Sequence, residues 1–288
     1  MQTIKETRKY QYHYHSTNYP YINDWKRNPY TFLKAKFYME TSAVLVYFLL
    51  KTKIKPNTIT LFYCFAGIMG GVLLSIPCKW TIISALFIFF TKGTLDWSDG
   101  HLARATNQTS ITGHVLDVYG ALLNDMGLQI GLGFYVAFKS GNNLFYYLIP
   151  IIPFLFAAKL KTFSEIVLYE ELSNEKSLSK IIQKNINTET DQTKKENAKA
   201  NVLGTYSKYY YLSSFLDARA RSVDFICLVI LVEMFTNVSI TWIIFILFLV
   251  RALIFFIGGF YITIKKDWVE RSLDATINNI FNYWKGNK

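Results

Sequence analysis

The stretch Leu95-Asp96-Trp97-Ser98-Asp99-Gly100-His101-Leu102-Ala103-Arg104 is followed by Gly113-His114-Val115-Leu116-Asp117. Asp96 and Asp99 are three residues apart and share one face of a helix. Two carboxylates so close repel each other and are costly to desolvate, a cost that a bound cation removes. Carboxylates are hard oxygen ligands for Mg2+, Mn2+ or Ca2+, and Asp117 on the next helix adds a third. Gly100 and Gly113 carry no side chain, so a bulky ligand can approach the backbone there. Arg104 suits a phosphate or a carboxylate partner. A purely structural charge network is the bland alternative, and the glycines and Arg104 beside the aspartates weigh against it.

The elements that must position these residues are those of a membrane protein. The 288 residues are 51% hydrophobic and only 18% charged, with a mean hydropathy of +0.18, whereas a soluble domain carries about 25% charged residues. A spanning helix takes about 20 apolar residues. Stretches at that scale cover residues 57–76, 80–104, 112–138, 144–168, 223–235 and 240–264, the fifth being short unless its polar flanks extend it. Pro56 and Asn57 supply a helix start to the first. Residues 44–50 are apolar but too few to span, which suits an interfacial helix. Residues 10–38 mix Tyr, Phe and Trp25 with Lys, as the headgroup layer favours. The expected fold class is therefore an all-α integral membrane protein of six transmembrane helices, with an N-terminal interfacial helix. Its divisions are a cytoplasmic or interfacial segment at 1–55, helices one to four at 56–171, a polar cytoplasmic insert at 172–214, helices five and six at 215–264, and a tail at 265–288.

Charge sets the orientation. Ten Lys and Arg lie before residue 56, nine between 170 and 222, and Lys265, Lys266, Arg271, Lys285 and Lys288 in the tail, against Lys79 and Lys139 in the opposite loops. Both termini are expected in the cytoplasm. The net charge of +11 falls between apolar stretches rather than in a basic patch with base-stacking aromatics, which argues against nucleic acid as a partner. Cys64, Cys78 and Cys227 are odd in number and widely spaced, so they are expected as packing residues and not as a disulfide framework or a zinc site. The first 30 residues have no apolar core, and no cleavable signal peptide is expected.

The pattern Asp96-x2-Asp99-Gly100-x2-Ala103-Arg104-x8-Gly113-x3-Asp117 resembles the signature of the CDP-alcohol phosphotransferases, and Pro56-Asn57-Thr58-Ile59-Thr60 resembles the start of that family's first transmembrane helix. Over residues 55–264 the resemblance implies six spans around a cytoplasm-facing polar cavity. It implies an enzyme that transfers a phosphoalcohol from a CDP-alcohol, a CDP-linked lipid or head group, to an acceptor alcohol and releases CMP, in phospholipid synthesis. It also implies a two-metal Mg2+ or Mn2+ site held by Asp96, Asp99 and Asp117, a nucleotide site lined by Asn57, Thr60, Gly100, Ala103, Arg104 and Gly113, surrounding membrane lipids and a homodimer.

The family pattern continues with a fourth aspartate that deprotonates the acceptor hydroxyl, and that position here is Ala121. Asp125 is a substitute, but eight residues put it about 12 Å from Asp117 along the helix. Asn124 can orient a hydroxyl but is no base. Another group serves as the base, or turnover has been lost, or the alanine is an introduced inactivating change. Asp125 has a second reading. Together with Lys92 and Arg251 it lies roughly 18–20 Å from the cytoplasmic helix ends, and intramembrane charges tend to pair, so an internal ion pair of Asp125 with Lys92 or Arg251 is expected. Lys159 and Lys161, with Arg219 and Arg221, are acceptor-site candidates for a phosphorylated alcohol. The rivals to the enzyme are a catalytically impaired binding or scaffold protein and, motivated by the same intramembrane charges, a small-solute transporter.

Overall fold

The computed structural model describes residues 3–19, 26, 29–157, 166–167, 220–236 and 238–265, and among them all regular structure is helical. The helices are α1 (Ile4–Asn18), α2 (Pro29–Leu49), α3 (Pro56–Leu74), α4 (Lys79–Thr91), α5 (Gly93–Ala105), α6 (Ile111–Ser140), α7 (Leu144–Leu148), α8 (Ile151–Ala157), α9 (Ala220–Phe235) and α10 (Thr241–Lys265). By length and composition three of them can cross a membrane: α3, α6 and residues Thr241–Tyr261 of α10.

The chain divides into two units, residues 1–152 with 217–248, and residues 153–216 with 249–288. In the first, α3 packs most extensively on α6. Pro56 starts α3 where a missing N–H costs nothing, and the helix then sorts its faces. Leu61, Phe62, Phe65, Ile68 and Val72 point outward, while Thr60, Tyr63, Cys64, Gly67, Gly70 and Gly71 are buried. Apolar side chains outside and small residues inside are what a helix surrounded by lipid requires, because lipid offers no hydrophobic drive for helix pairing. The seam is made of glycines. A Cβ on Gly71 would come 2.5 Å from the Gly127 carbonyl oxygen, one on Gly131 would come 2.7 Å from that of Gly71, and one on Gly127 would land on that of Gly67. Asn124 fastens the same seam. Its buried amide donates to the carbonyls of Tyr63 across the seam and Gly120 on its own helix, each at 2.9 Å. Gly127→Ala is expected to destabilise the protein by about 1–3 kcal/mol through forced helix separation. Gly258→Ala, whose added Cβ meets nothing within 4 Å, is expected to leave thermal unfolding in detergent unchanged.

The second expected span is divided at Lys92, whose own backbone stays helical. Apolar α4 ends at Thr91, and α5 starts at Gly93, where a Cβ would run into the Tyr38 ring. At the break the Phe90 carbonyl accepts from Lys34 Nζ at 3.1 Å and from the Tyr38 hydroxyl at 3.4 Å. The fourth expected span is interrupted between α7 and α8 at Pro150, which has no N–H to donate, and the fifth, α9, has 16 residues. Helix α2 gathers residues 44–49 into 21 residues of helix.

Lys34 also forms an ion pair with Asp224 of α9 at 2.8 Å, with the two side chains 7% and 9% exposed, and Tyr30 donates to the same carboxylate. At the other end of α9, buried Glu233 accepts from the Ile240 and Thr241 N–H groups and from the Thr241 hydroxyl, and so caps the start of α10. Cys64 and Cys227 are buried as expected; Cys78 is instead exposed, because it lies just before α4 rather than inside a packed helix. In the second unit, Phe256 meets Phe154 and Phe260 with ring centroids 6.4 and 5.1 Å apart. The insert at 172–214 and residues 266–288 lie outside the described residues.

Candidate active site

Three helices bring the motif together. Helix α3 supplies Asn57 and Thr60 from its first turns, α5 supplies Asp96, Asp99, Gly100, Ala103 and Arg104, and α6 supplies Gly113 and Asp117. The Thr60 hydroxyl donates to Asp99 Oδ2 at 2.6 Å, and the Gly100 N–H donates to Asp99 Oδ1 at 2.5 Å. The Tyr63 hydroxyl serves Asp96, which lies within electrostatic reach of Asp117 and Asp99. Asp99 in turn feels the charges of Asp117 and Arg104. The motif glycines are tight spots. A Cβ on Gly100 would come 3.0 Å from Arg104 Nη1, and one on Gly113 would come 3.1 Å from Asn57 Oδ1. Ser110 caps α6 by accepting from the Gly113 N–H at 3.0 Å. Ala103 is half-buried on the Asp96 face of α5.

The donor set suits a divalent cation in its chemistry, since Asp96, Asp99 and Asp117 offer hard oxygens from two helices within electrostatic reach of one another. Among the described residues no three His, Cys, Asp or Glu side chains close on one point, and Asp99 has both oxygens engaged by Thr60 and Gly100.

Ala121 is exposed one turn beyond Asp117. The Asp125 carboxylate accepts from Gln129 at 2.7 Å and lies within electrostatic reach of Lys92, whose ammonium is 5.7 Å from the Phe89 ring centre. Arg251 belongs to the second unit, with its guanidinium 5.4 Å from the Phe255 ring. Lys159, Lys161 and Arg219 lie outside the described residues, as does the side chain of Arg221.

Two groups of residues were absent from the sequence reading. Tyr63 continues the stripe Asn57, Thr60, Tyr63 at three-residue spacing, a signal that was available. The second group is on α1. Tyr14 stacks 3.8 Å from the Arg104 guanidinium, and Gln11 Oε1 accepts from Arg104 Nη2 in a long contact of 3.5 Å. His15 stacks on Trp97 at 4.3 Å. Burial and the nearby guanidinium push His15 down to about 4, so it stays neutral beside Arg104.

The family model described as CDP-alcohol phosphatidyltransferase matches residues 53–161. That stretch is similar to a CDP-alcohol phosphatidyltransferase domain. The match opens just before α3 and takes in the whole motif on α5 and α6. CDP-alcohol phosphatidyltransferases are membrane-embedded and generally depend on a divalent metal, and they move a phosphoalcohol from a CDP-alcohol to an acceptor alcohol among membrane lipids. With its three long apolar helices, the chain is an integral membrane protein. No curated protein and no solved structure matches it significantly.

Proposed function

We propose that this protein is a metal-dependent CDP-alcohol phosphotransferase of phospholipid synthesis, and the observation that supports the reading is the electrostatic proximity of Asp96, Asp99 and Asp117 on helices that also carry Gly100, Gly113 and Arg104. Asp96, Asp99 and Asp117 would hold Mg2+ or Mn2+. Bound there, the metal supplies Lewis-acid polarisation of the diphosphate. Asn57, Thr60, Gly100, Ala103, Arg104 and Gly113 take the nucleotide end, with Arg104 matching phosphate charge and the glycines letting Arg104 and Asn57 lie close against the backbone. Thr60 fixes the rotamer of Asp99, and Tyr63 that of Asp96, as outer partners of ligating carboxylates do. The acceptor hydroxyl attacks the β-phosphorus, the oxygen–phosphorus bond to CMP breaks, and the hydroxyl proton passes to a base. Lys159, Lys161, Arg219 and Arg221 are assigned to a phosphate on the acceptor. The proposed topology is six spans around a cytoplasm-facing cavity, with both termini cytoplasmic, in a homodimer.

The test is CMP release from CDP-diacylglycerol with Mg2+ or Mn2+ and a panel of acceptor alcohols. Asp99→Asn is expected to lower it about 10²-fold, since metal polarisation is worth several kcal/mol of barrier. An Asp99→Asn protein as active as the parent overturns the assignment. Ala121 favours one second reading, a binding or scaffold protein. Metal-dependent binding of CDP-lipid without CMP release by any acceptor would establish that alternative.

A further inference from the structure

We infer that α1 completes the nucleotide site, with Gln11 and Tyr14 acting as positioning residues that fix the guanidinium of Arg104. The inference rests on the reading of Arg104 as a nucleotide-binding residue.

The buried side chains of α1 are Thr7, Gln11 and His15, a stripe at four-residue spacing and wholly polar. A helix held by the hydrophobic effect would bury Leu, Ile, Val or Phe along that stripe. Its docking therefore depends on what the polar groups meet: α1 packs on α2, where Gln11 bonds Ser42, and its side chains also reach one face of α5. Tyr10 stacks on His101 at 5.8 Å, His15 stacks on Trp97, and Gln11 and Tyr14 take Arg104. Trp97, His101 and Arg104 form a stripe roughly 100° around the helix from Asp96, Gly100 and Ala103, so α1 lies beside the motif face without covering it.

The grip on Arg104 is directional. Tyr14 lies against the flat face of the guanidinium and Gln11 holds Nη2, while Nη1 is turned to Gly100. Nη1 is thus held against Gly100 on the motif face. Gln11 is itself fixed. It is fully buried, its Nε2 donates to Ser42 Oγ of α2 at 3.3 Å, and Ser42 donates to the Met39 carbonyl at 3.2 Å. The line Met39, Ser42, Gln11, Arg104 crosses three helices and locks one long side chain. Arginine loses less freedom per contact when its planar head is pre-organised, and a residue held in its bound geometry binds more tightly because less ordering remains to be done.

Equilibrium binding of CDP with Mn2+ to the full-length protein in detergent tests this. Tyr14→Leu, which keeps bulk but has no π face, is expected to weaken CDP affinity roughly 5- to 30-fold, and Gln11→Leu several-fold. Tyr14→Phe retains the ring and is expected to bind like the parent, an outcome that a merely structural role of Tyr14 would not separate from Tyr14→Leu if both lowered the melting temperature alike. Parent-like affinity in both Tyr14→Leu and Gln11→Leu overturns the inference, provided Arg104→Ala weakens CDP binding; the site reading then stands without it. If Arg104→Ala binds CDP like the parent, or the parent binds none, the nucleotide reading itself falls and takes this inference with it.

Discussion

Ala121→Asp is expected to raise CMP release about 10²–10⁴-fold, the usual worth of a positioned general base. Position 121 is one helical turn beyond Asp117, about 6 Å along the axis, and Ala121 is exposed, so an aspartate fits without repacking α6. The change costs the helix about 0.5 kcal/mol or so of propensity, too little to mask the gain. The residues nearby are otherwise committed. Asn124 gives its amide to two backbone carbonyls, and Asp125 accepts from Gln129 while sharing the field of Lys92. A rate comparison of the parent and Ala121→Asp under saturating CDP-diacylglycerol and acceptor decides the matter. Equal rates would mean that another group already takes the proton.

Lys34→Met is expected to destabilise the fold by about 3–5 kcal/mol. Methionine matches the volume of the lysine stem, so the loss is electrostatic: Asp224, 9% exposed, is left as a buried carboxylate with only Tyr30 to serve it. The Phe90 carbonyl at the break between α4 and α5 loses a donor as well, and the ammonium seated 3.4 Å from the Phe90 ring centre disappears. Removing both charges together, as Lys34→Met with Asp224→Leu, is expected to restore most of the stability, because replacing a whole buried pair by apolar groups is often neutral. Thermal unfolding of the three proteins in one detergent measures it. A single variant as stable as the parent would show that the pair contributes nothing.

The site was legible where its signal is local. Asp96, Asp99, Gly100, Arg104, Gly113 and Asp117 fall within 22 residues of chain, and two helices in register suffice to bring them together. The start of α3 was legible too, because Pro56 announces it. The division after α4 was hidden, since residues 80–92 read as one apolar run into α5, and the Phe90 carbonyl beside it is taken by Lys34 and Tyr38 from another helix. The partnership of Lys34 with Asp224 joins α2 to α9 across most of the chain, and nothing near either residue announces the other. The docking of α1 was hidden for a different reason. Periodicity searches look for buried apolar residues, and α1 buries Thr7, Gln11 and His15.

The break between α4 and α5 bears on how substrate capture is distributed over the molecule. Asp117 rides on α6, which is locked to α3 through glycine carbonyls that leave no room to slide. Asp96 and Asp99 ride on the 13-residue α5, which follows α4 after the single residue Lys92. Under the proposed function, any adjustment that brings the three carboxylates onto one metal falls to α5 at Lys92, since element ends are where backbone rotation is absorbed.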